Sequence, residues 1–128
     1  MTEQPKLGEF CWNELSTTNL QASKDFYGKV FGWKFTDNSM GDTTYTMIKA
    51  NDKDFAGIWS IPKEMQKEVP PNWMAYILVE NLDKTLESAR KNGANIVKPA
   101  SNAGDFGRFS IIEDPTGAHI ALWQPIKK

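Results

Sequence analysis

The chain repeats one pattern twice, and this repeat restricts its possible folds more than any other feature of its 128 residues. In each half a strand-like segment leads into the pair Asn-Leu, then an amphipathic helical segment, then a glycine. Asn19-Leu20 in the first half corresponds to Asn81-Leu82 in the second. Three short strand-like segments follow each helix. The pattern predicts an α+β fold of two βαβββ units that form a curved mixed sheet. Two unrelated units that share common capping residues are the alternative.

The ends of both helices can be read from the sequence. Asn19 and Asn81 are favourable N-cap residues, and Gly32 and Gly93 follow the last apolar positions, as C-terminal cap glycines do. The sequence Asp-Pro-Thr-Gly at 114–117 predicts a tight turn between the last two strands. We expect strands near 10–15, 33–36, 44–49 and 54–60 in the first half, and near 73–79, 95–98, 107–113 and 118–124 in the second.

Segment 62–72 is rich in proline and charge and is the candidate linker between the halves. The length fits one domain, 1–128, with repeat one at about 8–61 and repeat two at about 73–125.

Composition excludes several classes of partner and site. The formal net charge is −1, so no basic excess points to nucleic acid. No apolar run is long enough to span a membrane, and no leader-like segment opens the chain, so we expect a cytoplasmic protein. Cys11 is the one cysteine and His119 the one histidine, which leaves no intrachain disulfide and few ways to build a His- or Cys-based metal site.

The sequences FYGKVFGW, at the end of the first helix, and GRFSIIEDPTGAHIALWQP, near the end of the chain, resemble those of the vicinal oxygen chelate superfamily. This superfamily includes glyoxalase I, extradiol dioxygenases, fosfomycin-resistance enzymes and bleomycin-binding proteins. The resemblance covers about residues 8–125, and it implies a glyoxalase-like domain whose sheet curls into a cup. It also implies a homodimer, because superfamily members of this length usually pair.

The superfamily's enzymes hold a divalent metal with His, Glu or Gln side chains on the first and last strands of each unit. By this resemblance three of the ligand positions fall at Trp12, Met74 and Ala121, and the fourth falls at or beside Ile58. None of these side chains binds a divalent ion well. The resemblance therefore implies a protein of this fold with no metal and no other cofactor.

Strand alternation predicts which side chains line the cup. It places Phe10, Trp12 and Glu14 on the cup face of the first strand, with Cys11 on the helix-packed side. On the fifth strand it places Met74 and Tyr76 on the cup face and Ala75, Ile77 and Val79 on the helix-packed side. His119 and Trp123 share the cup face of the last strand, while Trp59 and Trp73 are added as second-choice walls without a parity assignment. The candidate ligand-binding residues are therefore Trp12, Glu14, Trp59, Trp73, Met74, Tyr76, His119 and Trp123. Glu14 is either a general base with a raised pKa or, as we expect, the ion-pair partner of Arg108.

Three hypotheses for the function follow. The first is a metal-free protein that binds a small, planar organic molecule in an aromatic cup. The second is a lyase, isomerase or dioxygenase-type enzyme of the same superfamily with an atypical or metal-independent site. The third is a protein-interaction module, in which the aromatic rings simply fill a collapsed cup.

Overall fold

A computed structural model describes residues 4–40 and 43–126. It contains eight strands, two α-helices and a short 3-10 helix at Lys63–Met65. In chain order the elements are β1 (Phe10–Thr17), α1 (Leu20–Phe31), β2 (Lys34–Met40), β3 (Thr43–Ala50), β4 (Lys53–Ser60), β5 (Asn72–Leu78), α2 (Leu82–Lys91), β6 (Asn95–Ala103), β7 (Gly107–Glu113) and β8 (His119–Pro125).

The described residues divide into two compact units, one within 12–74 and the other formed by 4–11 together with 75–126. We call them the 12–74 unit and the 75–128 unit. In the first the strand order is β2-β3-β4-β1, and β1 runs parallel to β4 while the other pairs are antiparallel. In the second the order is β6-β7-β8-β5, and β5 runs parallel to β8. The predicted α+β class and mixed pairing are confirmed, and both units have the topology that the repeat predicts.

The predicted helix ends are where the capping residues placed them. The Asn19 side chain accepts a hydrogen bond from the Ala22 amide at 3.0 Å, and Asn81 accepts one from Lys84 at 3.1 Å. Gly32 ends α1 in the left-handed conformation, with φ of 73°. These local bonds fix where each helix begins, and so which of its side chains face the strands.

Each unit has its own apolar core between the helix and one face of the strands. In the 12–74 unit Leu15 and Ile58 lie in a buried cluster that includes Leu20 and Tyr27 of α1. Because neighbouring strand residues point to opposite faces, Trp12, Glu14 and Trp59 lie on the face away from α1.

The 75–128 unit follows the same rule. Val79 lies in a core with Leu82 and Leu86 of α2, and Ile77 packs against that core. Alternation therefore places Tyr76 on the face away from α2. The predicted helix-packed positions of Ile77 and Val79 are confirmed.

Three segments differ in detail from the predictions. Strand β2 runs to Met40, past the predicted end near 36. Strand β6 runs to Ala103, well past the predicted end near 98, and includes Pro99. It is an edge strand whose pairing with β7 shifts register between Ile96 and Ser101, and irregular edge strands tolerate proline. The predicted linker 62–72 contains the 3-10 helix and the first residue of β5. No helix within the described ranges is long and apolar enough to cross a membrane.

Candidate functional site

A hydrogen-bonded chain of side chains lies on the face of the 12–74 unit away from α1. The Trp12 indole Nε1 donates to the Tyr45 hydroxyl at 2.9 Å. Tyr45 is also hydrogen-bonded to the Glu14 carboxylate. An indole N–H can only donate, so the Tyr45 oxygen accepts from Trp12 and its own O–H donates to Glu14. The three residues form a directed chain, Trp12 to Tyr45 to Glu14, which we call the Trp-Tyr-Glu chain.

The electrostatics of this chain keep Tyr45 neutral. Burial raises the pKa of Tyr45 far above its ordinary value, and the negative charge of Glu14 raises it further. Deprotonation would place a second negative charge beside the carboxylate. Tyr45 therefore acts as a hydrogen-bond donor and not as a base.

A glycine on the neighbouring strand makes room for the Tyr45 ring. Gly57 on β4 lies opposite Glu14 on β1, while Trp59 lies opposite Tyr45 on β3. A Cβ atom added to Gly57 would be only 2.5 Å from Tyr45 Cε2 and still closer to the hydroxyl. The ring thus crosses directly over the Gly57 backbone, which only glycine permits at this distance.

The 75–128 unit contains a similar arrangement around Trp123. A Cβ atom on Gly107 of β7 would lie 2.8 Å from Trp123 Cζ2 on the neighbouring strand β8. Tyr76 on β5 is buried, and its register partner Ala121 on β8 is fully buried. Of the predicted ligand-binding residues in this unit, Tyr76 is buried and the Trp123 ring packs closely against Gly107.

His119 lies at the start of β8, opposite Glu113. Its Nε2 is 3.3 Å from Glu113 Oε2, and 47 % of its side chain is exposed. The hydrogen bond from Asn95, and then the one with His119, lower the pKa of Glu113. His119 is thus a half-exposed residue at the first position of β8, and its hydrogen bond to Glu113 accounts for it without a ligand.

Trp73 lies on the other side of the 12–74 unit from Trp12. Its ring meets Tyr27 of α1 edge-on at 5.5 Å and Trp33 at 6.1 Å, and its Nε1 donates to the Tyr27 hydroxyl at 3.0 Å. This helix-side cluster leaves Phe31 59 % exposed. The placement of Trp73 as a wall of the same site as Trp12 was wrong, because Trp73 differs in strand parity from Met74 and Tyr76.

The expected ion pair between Glu14 and Arg108 is also wrong. Arg108 on β7 instead makes two hydrogen bonds of 3.1 Å to the carboxylate of Asp83 in the first turn of α2. These bonds lower the pKa of Asp83 and raise that of Arg108. The sequence could not choose between two carboxylates for one guanidinium without knowing where α2 lies against the strands.

Sequence reasoning missed Tyr45 and Gly57, the two residues that complete the site. The available signal was a glycine within the apolar strand segment 55–59, because such a glycine often marks the close approach of another group.

The metal positions implied by the resemblance hold no ligand side chains. Ile58 lies in the core beneath α1, so the site-facing neighbours at this position are Gly57 and Trp59. Within residues 4–40 and 43–126, no three His, Cys, Asp or Glu side chains are grouped so that they could hold a metal ion.

Comparisons with known proteins agree with this architecture. CFP32 of Mycobacterium tuberculosis, named a candidate glyoxylase, is 38 % identical over 115 residues, which cover 88 % of this chain and 44 % of CFP32. The anthracycline biosynthesis protein DauV of a Streptomyces species is 26 % identical over 129 residues, covering 91 % of this chain and 47 % of DauV. The chain therefore spans about half the length of these curated relatives.

Solved structures show the same fold at low sequence identity. Methylmalonyl-CoA epimerase from Mycobacterium tuberculosis superposes with a TM-score of 0.66 at 15 % identity, covering 99 % of this chain and 94 % of that one. The hypothetical protein BH1468 from Bacillus halodurans gives a TM-score of 0.71 at 9 % identity, with 96 % and 98 % covered. A family model matches residues 9–122. The chain belongs to the Glyoxalase/Bleomycin resistance protein/Dioxygenase superfamily.

Proposed function

We propose that this protein binds a small, planar organic molecule, without a metal, on the aromatic face formed by Trp12, Tyr45 and Trp59. The observation that carries the proposal is the Trp-Tyr-Glu chain. Hydrogen bonds hold the Trp12 and Tyr45 rings in place before any ligand arrives, so little side-chain entropy is lost on binding. Aromatic faces of this kind suit flat, apolar ligands with a few polar groups.

The name of one relative agrees with a planar ligand. DauV is named for the biosynthesis of anthracyclines, which contain fused aromatic rings. Within the 75–128 unit, taken by itself, we propose Trp123 and Tyr76 as separate candidate positions for ligand contact.

The second candidate function is a lyase, isomerase or dioxygenase-type enzyme of the same superfamily with an atypical or metal-independent site. The glyoxylase name of CFP32 favours it, as does the placement of a neutral Tyr45 donor beside a carboxylate. The Tyr45 O–H is used in its bond to Glu14, so in this reading Glu14 would be the group that accepts a proton from a bound compound. Conversion of a bound compound, lost on Glu14→Gln, would support the enzyme.

The binding proposal is tested with three flat tricyclic probes of different charge. These are neutral phenazine, cationic proflavine and anionic anthraquinone-2-sulfonate, each measured by equilibrium dialysis. We expect at least one probe to bind. Trp12→Ala should weaken its binding free energy by about 1–3 kcal/mol, the usual effect of losing an aromatic anchor. Trp73→Ala is the matched control, since it removes the same ring from the helix side.

If the rings serve only as core, a different result is expected. Trp12→Ala then lowers the free energy of unfolding by about 3–5 kcal/mol, as large-to-small core changes do, and wild-type protein binds none of the probes. That outcome, or a loss of binding with Trp73→Ala alone, would exclude the proposed face.

A further inference from the structure

We propose that an exposed apolar surface on helix α1 binds a second copy of this chain. The surface consists of Phe26, Val30, Phe31 and Trp73, and we call it the α1 surface. It belongs to the 12–74 unit and lies on the helix side of the strands, away from Trp12. The proposed ligand face and the α1 surface are therefore separate parts of the molecule.

The α1 surface is one continuous patch. Phe26 meets the Tyr27 ring edge-on at 5.0 Å, and Phe31 stacks on Tyr27 at 6.1 Å. Trp73 meets Tyr27 edge-on at 5.5 Å. Val30 follows Phe26 by one helical turn and so lies on the same side of α1. Water therefore meets one joined apolar area instead of scattered single side chains.

The second repeat shows that the fold does not need these apolar side chains. The offset between the repeats places Ser88 at the position that corresponds to Phe26. It likewise places Asn92 at the position that corresponds to Val30. The second repeat thus folds with polar side chains where the first exposes apolar ones. Contiguous exposed apolar patches rimmed by polar residues are typical of interaction sites.

The size of the α1 surface fits the centre of a protein interface. The exposed fractions are 57 % for Phe26, 54 % for Val30, 59 % for Phe31 and 42 % for Trp73. Since a whole aromatic side chain presents about 150–250 Å², the three rings alone expose about 250–400 Å². A stable interface buries about 800 Å² on each partner, as an apolar centre with a polar rim. The rings supply such a centre, and the polar side chains of α1 can supply the rim.

The charges on α1 favour a second copy over a strongly acidic or basic partner. Asp25 and Lys29 are one helical turn apart and lie on the same flank of α1. The third charged residue of α1, Lys24, is ion-paired with Asp37 at 2.7 Å. Two-fold rotation reverses the direction of the helix, so Asp25 of each copy comes beside Lys29 of the other. The surface is therefore self-complementary in charge as well as apolar at its centre.

The first test gives α1 the polar residues of the second repeat through the double substitution Phe26→Ser with Val30→Asn. In sedimentation equilibrium we expect wild-type protein to dimerise at micromolar concentration. The double variant should dimerise about a hundredfold more weakly, because buried aromatic anchors carry most of the energy of an interface. Phe106→Ser is the matched control, since it removes another exposed phenylalanine from the 75–128 unit and should leave the dimer unchanged. Thermal unfolding followed by circular dichroism checks that each variant is folded.

The second test reverses charges and keeps every apolar side chain, so it holds even if the double variant does not fold. Asp25→Lys and Lys29→Asp should each weaken self-association about tenfold, because like charges then face each other. An equimolar mixture of these two variants should dimerise as wild type does, since each Lys again faces an Asp. Wild-type protein that stays monomeric would overturn the proposal and leave the surface to a different partner. A dimer that neither Phe26→Ser with Val30→Asn nor either charge reversal weakens would also overturn it, because the copies would then meet elsewhere.

Discussion

Gly57→Ala tests whether the glycine on β4 exists to admit the Tyr45 ring. In a strand interior, alanine would ordinarily be the better residue by about 0.5–1 kcal/mol, because glycine loses more conformational entropy on folding. Here the added Cβ would lie 2.5 Å from Tyr45 Cε2, well inside van der Waals contact. The ring must therefore move away from the strand.

The expected cost has two parts. Forcing a methyl group into a packed site typically costs about 1–3 kcal/mol. Displacing Tyr45 also breaks its hydrogen bonds to Trp12 and Glu14, each of which contributes about 1 kcal/mol. After subtracting the entropy gain, we expect Gly57→Ala to lower the free energy of unfolding by about 2–4 kcal/mol. The substitution should also lower the affinity of any planar probe that binds this face.

Urea unfolding followed by tryptophan fluorescence measures this cost. Gly28→Ala is the control, because a Cβ there would be 3.5 Å from Phe35 Cε2, an ordinary contact, within helix α1. It should raise stability by about 0.5–1 kcal/mol. In a Tyr45→Ala background the penalty of Gly57→Ala should disappear. If the penalty is the same in both backgrounds, the clash with Tyr45 is not its cause and the reasoning fails.

Three further predictions concern metal, assembly and pH. Because Trp12, Met74 and Ala121 occupy the ligand positions implied by the family, freshly purified protein should contain less than stoichiometric Zn²⁺, Ni²⁺, Fe²⁺ or Mn²⁺ by elemental analysis, and one tightly held equivalent would refute this. Sedimentation at micromolar concentration should show a homodimer, and a single 14.5 kDa species would refute that. Hydrogen bonds from Lys24 and then from Thr46 lower the pKa of Asp37, so its contribution to stability is present above the ordinary carboxyl pKa of about 4 and is lost as pH falls below it. In urea unfolding, the free energy of unfolding of Asp37→Asn should fall less steeply than that of wild type as the pH is lowered from 5 to about 2. An equally steep fall in both proteins would count against a stabilising Lys24–Asp37 ion pair.

Local rules accounted for most of the fold. Asn19 and Asn81 cap their helices because one side-chain oxygen can satisfy a free backbone amide, which depends on only a few neighbouring residues. Strand alternation assigned Ile77 and Val79 to the helix side from sequence alone, because the period of two is a property of the backbone. These inferences needed no knowledge of distant contacts.

The site required information that local rules do not contain. Tyr45 and Trp12 are 33 positions apart, and their contact depends on the register by which β3 meets β4 and β4 meets β1. The same limit explains the error with Arg108, since Asp83 reaches it only through the packing of α2. Trp73 was misplaced for a simpler reason, because its parity relative to Met74 already assigned it to the other face.

The two faces of the strands also explain how one fold can present different chemistry and remain intact. The side chains that fix the fold of the 12–74 unit, Leu15 and Ile58 among them, pack against α1. The ligand position that the resemblance implies at Trp12 lies on the opposite face, where Trp12 donates to Tyr45. Substitutions on that face change which side chains a ligand can meet, without altering the packing beneath the helix. Family membership therefore constrains the helix side of this chain strongly and its ligand only weakly, and the ligand must be inferred from Trp12, Tyr45 and Glu14 themselves.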